Sequence, residues 1–195
     1  MISKHISGKA EELLSRGEHK EALMRHLESA ATLGWELAND YALDSVLAVQ
    51  AAFWHDVARG WSDEAGRIYR KEFHLSIDYV GQNAGIELLH GPIAAHLWST
   101  LFGSLPDLEL AVARHTLGSS NPGLLEKITA LADAGAYDRQ DDSAEQLRQA
   151  ASKDLDEAYR LLLELKIARS RRAGWEPHPH TVAALNAMQR RSNAS

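Results

Sequence analysis

The run Phe53-Trp54-His55-Asp56-Val57-Ala58-Arg59 sets two good metal ligands side by side inside an apolar stretch. Burying an ionised carboxylate without a partner costs several kcal/mol, and a divalent cation is one of the few partners that offsets the cost. Adjacent residues on a helix diverge by roughly 100°. One ion therefore cannot take both side chains in the same way, whereas His55 can serve one ion while the two oxygens of Asp56 reach a second. Further donors stand at His26, His90, His115 and Asp133. Four imidazoles and two carboxylates suit a two-metal centre with nitrogen and oxygen ligands. With no Cys in the 195 residues, thiolate nucleophiles, disulfides and Cys-ligated clusters are excluded, so any metal must be held by His and carboxylate.

Helical periodicity is the sequence's means of positioning these groups. A short amphipathic helix is expected from Ser7 to about Arg16, closed by Gly17, and a longer one from Lys20 to Asn39 with His26 at the edge of its apolar stripe. A third, over about 42–58, begins near Asp44 or Ser45 and ends with His55-Asp56. Residues 60–85 read as short helices joined by turns, with His74 in a surface or packing role. Pro is favoured in the first turn of a helix, so Gly91-Pro92 is expected to start one through Trp98 and Leu101, leaving His90 at its entry and His96 as packing or solvent-facing. After a turn at residues 103–106, Leu108, Ala111 and Val112 form a helix that delivers Arg114-His115-Thr116. The turn-rich loop at 118–123 is placed to border the site. Leu124 to Ala132 define another helix with Asp133 just past its apolar ridge, where an Asp taken alone is usually a cap or surface residue. Residues 135–143, including Arg139, read as an exposed loop. A weak helix follows over 145–151, then a long one from Asp154 to about Ala173, and a last one after His178-Pro179-His180. The basic group Lys166, Arg169, Arg171 and Arg172 is read as complementing a helix dipole rather than as an anion site.

A hydrophobic fraction of 45%, only 5 Pro and no β-branched strand runs indicate a single, mostly helical domain. The net charge of -6 argues against a nucleic-acid polymer as partner. A small polyanion is compatible with it, because bound divalent ions create a local positive field. No apolar signal core or membrane span is evident, so a soluble, cytoplasmic protein is expected, its oligomeric state left open with a homodimer included.

Taken together, Arg25-His26, His55-Asp56-Val57-Ala58, Leu88-Leu89-His90-Gly91-Pro92, Arg114-His115-Thr116 with Gly118, Leu131-Ala132-Asp133, Asp154-Leu155-Asp156 and His178-Pro179 resemble the HD-domain metal-dependent phosphohydrolases. Within them, the YqeK-type symmetrical diadenosine tetraphosphate hydrolases are the group most resembled, over about residues 25–186. The resemblance implies an all-α HD-domain fold with a dinuclear site between helices. Residues 1–19 would be an N-terminal helical extension, 20–192 the domain and 193–195 a frayed tail. By position, His26, His55, Asp56 and Asp133 would hold one metal and Asp56, His90 and His115 the second, with Asp56 as the bridge. Iron is the metal the family implies, and manganese, cobalt, nickel or zinc would satisfy the same donors. The implied activity is cleavage of diadenosine tetraphosphate to two ADP by a metal-activated bridging hydroxide. Arg59, Arg139 and Arg114 are candidates for neutralising phosphate charge, each equally readable as an exposed or ion-paired arginine. The alternatives are an HD-domain hydrolase of mononucleotides or another phosphate ester, and a non-catalytic nucleotide-binding module. Complete retention of the ligand set argues against the module. The chain departs from its relatives at Arg59, where Lys is common, at Pro122-Gly123, where Met-Ser is common, and at Ala134-Gly135-Ala136-Tyr137, where Tyr-Ile-Glu-Pro is common.

Overall fold

Half of the described helices begin where a short polar side chain accepts from the first free backbone amides, which a helix cannot satisfy internally. The computed structural model describes residues 2–77 and 79–192; the tail expected at 193–195 lies outside the described residues. Ten α-helices and no strand occur among the described residues: α1 (Lys4–Leu14), α2 (Lys20–Asp40), α3 (Ser45–Trp54), α4 (Asp63–Glu72), α5 (Ile86–Phe102), α6 (Pro106–Arg114), α7 (Leu124–Ala134), α8 (Asp142–Ala151), α9 (Leu155–Arg172) and α10 (Pro179–Ser192). Ser3, Asp44, Ser62, Asp141 and Asp154 cap α1, α3, α4, α8 and α9. None of the described helices is long and apolar enough to cross a membrane.

Helix α3 is the centre of the packing. Ala48, Val49, Ala51, Ala52, Phe53 and Trp54 are all buried, and α2, α6 and α7 pack directly on it. Small residues let these helices close: Ala30, Ala52, Ala132 and Ala136 form one buried cluster, and a Cβ on Gly34 would lie 2.9 Å from that of Ala52. That close seam brings the ends of α2, α3 and α7 to one place. Trp54 donates to the Ala94 carbonyl at 2.8 Å and packs edge-on against Trp98 and Phe102, joining α3 to α5. Helices α8 and α10 pack on α9, which leans on α7. A single larger cluster runs from Ile6 in α1 to Met188 in α10.

Residues 60–85, expected as short helices, hold the single helix α4 among the described residues, and two other helices differ most from the periodicity's expectation. The helix expected over 42–58 stops at Trp54, and the chain continues in three-residue turns, Arg59 N donating to Asp56 O at 2.9 Å and Trp61 N to Ala58 O at 3.1 Å. There His55 donates from Nδ1 to the Ala52 carbonyl at 2.7 Å, the acceptor that the Asp56 amide would use in a continuing helix. Helix α5 starts at Ile86, not at Gly91-Pro92, so Pro92 lies inside it and His90 in its second turn. Pro92 has no N–H for the Leu88 carbonyl, a loss worth up to about 3 kcal/mol in an isolated helix. Burial of Ile86, Leu89, Ile93, Ala94, Leu97 and Trp98 on both sides of it outweighs that loss, and Asp63 anchors the helix start by accepting from Ile86 N at 2.7 Å.

Candidate metal centre

The six donors come from five places in the chain. His26 projects from α2, His55 and Asp56 from the turn after α3, His90 from α5, His115 from the turn after α6, and Asp133 from the last turn of α7. They fall into two groups whose donor atoms lie within 4.8 Å of one another: His26, His55, Asp56 and Asp133, then Asp56, His90 and His115. Asp56 belongs to both. Its Oδ1 lies 2.9 Å from His90 Nε2 and 3.4 Å from His115 Nε2, while Oδ2 lies 3.5 Å from His55 Nε2. Asp133 Oδ1 is 3.2 Å from His26 Nε2 and 3.6 Å from His55 Nε2.

Every imidazole is oriented from behind. His55 Nδ1 lies 2.7 Å from Ala52 O, His90 Nδ1 2.9 Å from Ile86 O, and His115 Nδ1 2.7 Å from Val112 O. A carbonyl only accepts, so each Nδ1 carries the proton and each Nε2 offers a lone pair to the centre; at His90 the carbonyl at 2.9 Å outweighs Arg59 Nη1, a donor 3.3 Å from the same Nδ1. His115 thereby uses the carbonyl that would accept from Thr116 in a longer helix, and α6 stops at Arg114, as α3 stops just before His55. His26 donates from Nδ1 to Asp138, 3.1 Å from either carboxylate oxygen.

This arrangement fits divalent cations. His55 Nε2 and Asp56 Oδ1 are buried without a hydrogen bond, since the close approaches to them lack hydrogen-bond geometry. His90 Nε2 and His115 Nε2 face each other at 3.1 Å with Thr116 Oγ1 at 3.2 and 3.1 Å. Two ring lone pairs that close repel unless a positive charge lies between them. Burial pushes the Asp56 carboxyl up, but His55, His90 and His115 outweigh it and hold it well below the usual carboxylate range. Burial likewise opposes ionisation of Asp133, and His26, His55 and Arg139 overcome it. Burial disfavours a proton on His55, yet Asp56 and Asp133 raise its pKa to about 10, a measure of how strongly this corner attracts positive charge. His115 is pushed down to about 4, by burial first and by its imidazole neighbours next. It is thus a neutral donor at pH 7.

A cavity of about 1370 Å³ opens onto Asp56, His90, His115 and Asp133 and extends to the end of α9. Arg59 and Arg139 line it. Arg59 pairs with the exposed Glu87 at 2.6 Å, and Arg139 donates to Asp133 Oδ1 at 2.7 Å. Arg114, the third arginine expected at the phosphates, is not brought there: it turns to Glu126 at 3.4 Å. The loop at 118–123 is also not on the cavity wall, which stops at Leu117.

Three neighbours of the centre were not singled out as site residues by the sequence. Thr116 adjoins His115 in the chain, and its residue type carried no signal of its own. Asp138 lies in the segment expected to be an exposed loop. In fact that loop is clamped: Asp138 N donates to Ser29 Oγ at 3.0 Å, Arg148 donates to Gly135 O at 2.8 Å, and Tyr137 hydrogen-bonds Glu36. Lys166, expected to complement the α9 dipole, instead lies on the cavity wall and donates to the His115 and Thr116 carbonyls at 2.8 and 2.7 Å. Burial pushes its pKa down to about 8. A residue that orients a ligand imidazole typically changes metal affinity about 10–100-fold. Asp138→Ala is accordingly expected to weaken binding at the His26 half of the centre by about that factor. Equilibrium dialysis against manganese measures it, and unchanged affinity would remove the role.

Comparison with known proteins agrees with this geometry. The HD domain family model matches residues 23–138. A symmetrical bis(5'-nucleosyl)-tetraphosphatase from Halalkalibacterium halodurans is 32% identical over 154 residues, covering 78% of this chain and 81% of that protein. The crystal structure of a predicted HD superfamily hydrolase involved in NAD metabolism, from Clostridium acetobutylicum, superposes with a TM-score of 0.85 at 26% identity, covering 98% of this chain and 99% of the other. The clustered His and Asp side chains, the all-helical fold and a match over more than half the sequence place this chain in the HD-domain family of metal-dependent phosphohydrolases.

Proposed function

We propose that the protein hydrolyses diadenosine tetraphosphate symmetrically to two ADP, using two ions, iron in the first instance, held by the six donors. The observation that carries this reading is the cavity. At about 1370 Å³ it exceeds the roughly 300–1,000 Å³ of ordinary small-molecule sites, and it joins the donor cluster to a basic wall. The sequence similarity to a symmetrical bis(5'-nucleosyl)-tetraphosphatase supports the same substrate.

In this reading His26, His55, Asp56 and Asp133 hold one ion and Asp56, His90 and His115 the other. Divalent ions in such a pair supply Lewis acidity toward phosphate oxygens and lower the pKa of coordinated water to near neutrality. The protein supplies the rest. The carbonyls of Ala52, Ile86 and Val112 keep three imidazoles in the tautomer that presents Nε2. Arg59 and Arg139 neutralise phosphate charge. Arg59 is free to turn from Glu87 to a phosphate, because an ion pair with so exposed a partner is worth at most about 1 kcal/mol. Iron is favoured by family resemblance alone, since imidazole and carboxylate donors also accept manganese, cobalt, nickel or zinc.

Chromatography of the products from anaerobically prepared, iron-loaded protein and diadenosine tetraphosphate tests the reading. ADP alone is the expected result. AMP with ATP would overturn the cleavage position, and untouched dinucleotide alongside hydrolysed mononucleotides would move the substrate to that class.

A further inference from the structure

Trp175 is 73% exposed, yet it lines the cavity that opens on the metal ligands. No ring among the described residues stacks on it. Its backbone is nonetheless fixed. Helix α9 ends with Gly174 at φ +77, a conformation that a Cβ disfavours, while Gly174 N donates to Arg171 O and Trp175 N to Ser170 O, both at 3.0 Å. These are the two bonds of a Schellman ending, which holds the residue after the glycine in a defined position. An indole whose backbone is held at the cavity and whose face is uncovered is available to a flat ligand rather than to the core.

The helix leading to it is basic along the same face. Lys166, Arg169 and Arg172 recur at helical spacing on the cavity wall, spanning about 9 Å of helix at 1.5 Å per residue. Lys166 is occupied by backbone carbonyls. Arg169 and Arg172 are exposed and make no ion pair among the described residues. Arginine presents its donors as a fork that matches phosphate oxygens.

We infer that the end of α9 is a nucleotide subsite, in which Arg169 and Arg172 bind phosphate oxygens and Trp175 stacks on the nucleobase. The inference rests on the nucleotide-hydrolase reading and adds to it the residues that recognise the nucleoside end of the substrate. Stacking tolerates any base, so this subsite selects for a nucleobase over bare polyphosphate rather than for adenine over guanine.

The test is isothermal titration of manganese-loaded protein with ADP and, separately, with inorganic pyrophosphate, neither of which requires turnover. Trp175→Ala is expected to weaken ADP about tenfold, the size of one lost base–aromatic stack, and to leave pyrophosphate within about twofold. Trp175→Phe should restore most of the ADP affinity. The double variant Arg169→Ala/Arg172→Ala should weaken both ligands alike. The side chain is exposed, so these variants leave the core untouched. ADP binding by Trp175→Ala equal to wild type, equal losses of ADP and pyrophosphate in Trp175→Ala, unchanged affinity for both ligands in the double arginine variant, or no ADP binding by the wild type would each overturn the subsite. Asymmetric cleavage of the dinucleotide would overturn only the proposed reaction, since the titrations do not depend on it.

Discussion

Asp56→Ala is expected to lower phosphohydrolase turnover by on the order of 10³-fold or more, equivalent to about 4 kcal/mol of lost transition-state stabilisation. Asp56 contributes a donor to both groups of ligands, so no other substitution removes so much from the centre. Metal content should fall from two ions per chain to at most one weakly held ion, read by elemental analysis after gel filtration. The fold should survive. Asp56 faces imidazoles rather than core side chains, and the α2, α3 and α7 seam beneath it is made of alanines. Helical circular dichroism therefore serves as the control. An Asp56→Ala protein that kept both ions and its turnover would remove the shared-ligand account.

The second large effect is expected at Gly91. A Cβ there would stand 2.9 Å from the Val112 carbonyl oxygen, 3.2 Å from that of Ala113 and 3.3 Å from His115 Cε1. Two of the three neighbours are backbone and cannot move aside cheaply. Overpacking of this kind costs about 1–3 kcal/mol, against a gain of up to about 1 kcal/mol from replacing a helical glycine. Gly91→Ala should thus destabilise by about 1–2 kcal/mol in urea unfolding. It should also lose activity out of proportion, because the clash pushes on the His115 ring, whose Nε2 must meet His90. Gly8→Ala is the matched control: Gly8 also lies inside a helix, but nothing is within 4 Å of an added Cβ. That variant should be neutral or stabilised by about 0.5–1 kcal/mol. Equal effects at the two glycines would refute the close-approach explanation.

What the sequence made legible depended on how local the cause was. His55-Asp56 stood out because an acid inside an apolar run needs a partner, and the helical periods around 20–39 and 154–173 placed α2 and α9 closely. The start of α5 departs from the local rule that Pro prefers a first turn, because burial of Ile86 and Leu89 ahead of Pro92 overrides it. The early stop of α3 coincides with a side chain using a backbone acceptor, a contact that periodicity does not register. Asp138 was invisible for a different reason: its partner His26 lies 112 residues away, and its segment is polar whether clamped or free. The basic end of α9 likewise gave one pattern for two roles. Only the position of the cavity separates a dipole complement from a cavity wall.

Whether a pair of metal ions shares Asp56 is decided by anomalous scattering from crystals grown with manganese or iron. Two peaks are expected, one within bonding distance of His26, His55, Asp56 and Asp133 and the other of Asp56, His90 and His115, with Asp56 reaching both. A single peak at full metal loading, or two peaks of which only one touches Asp56, would contradict that sharing.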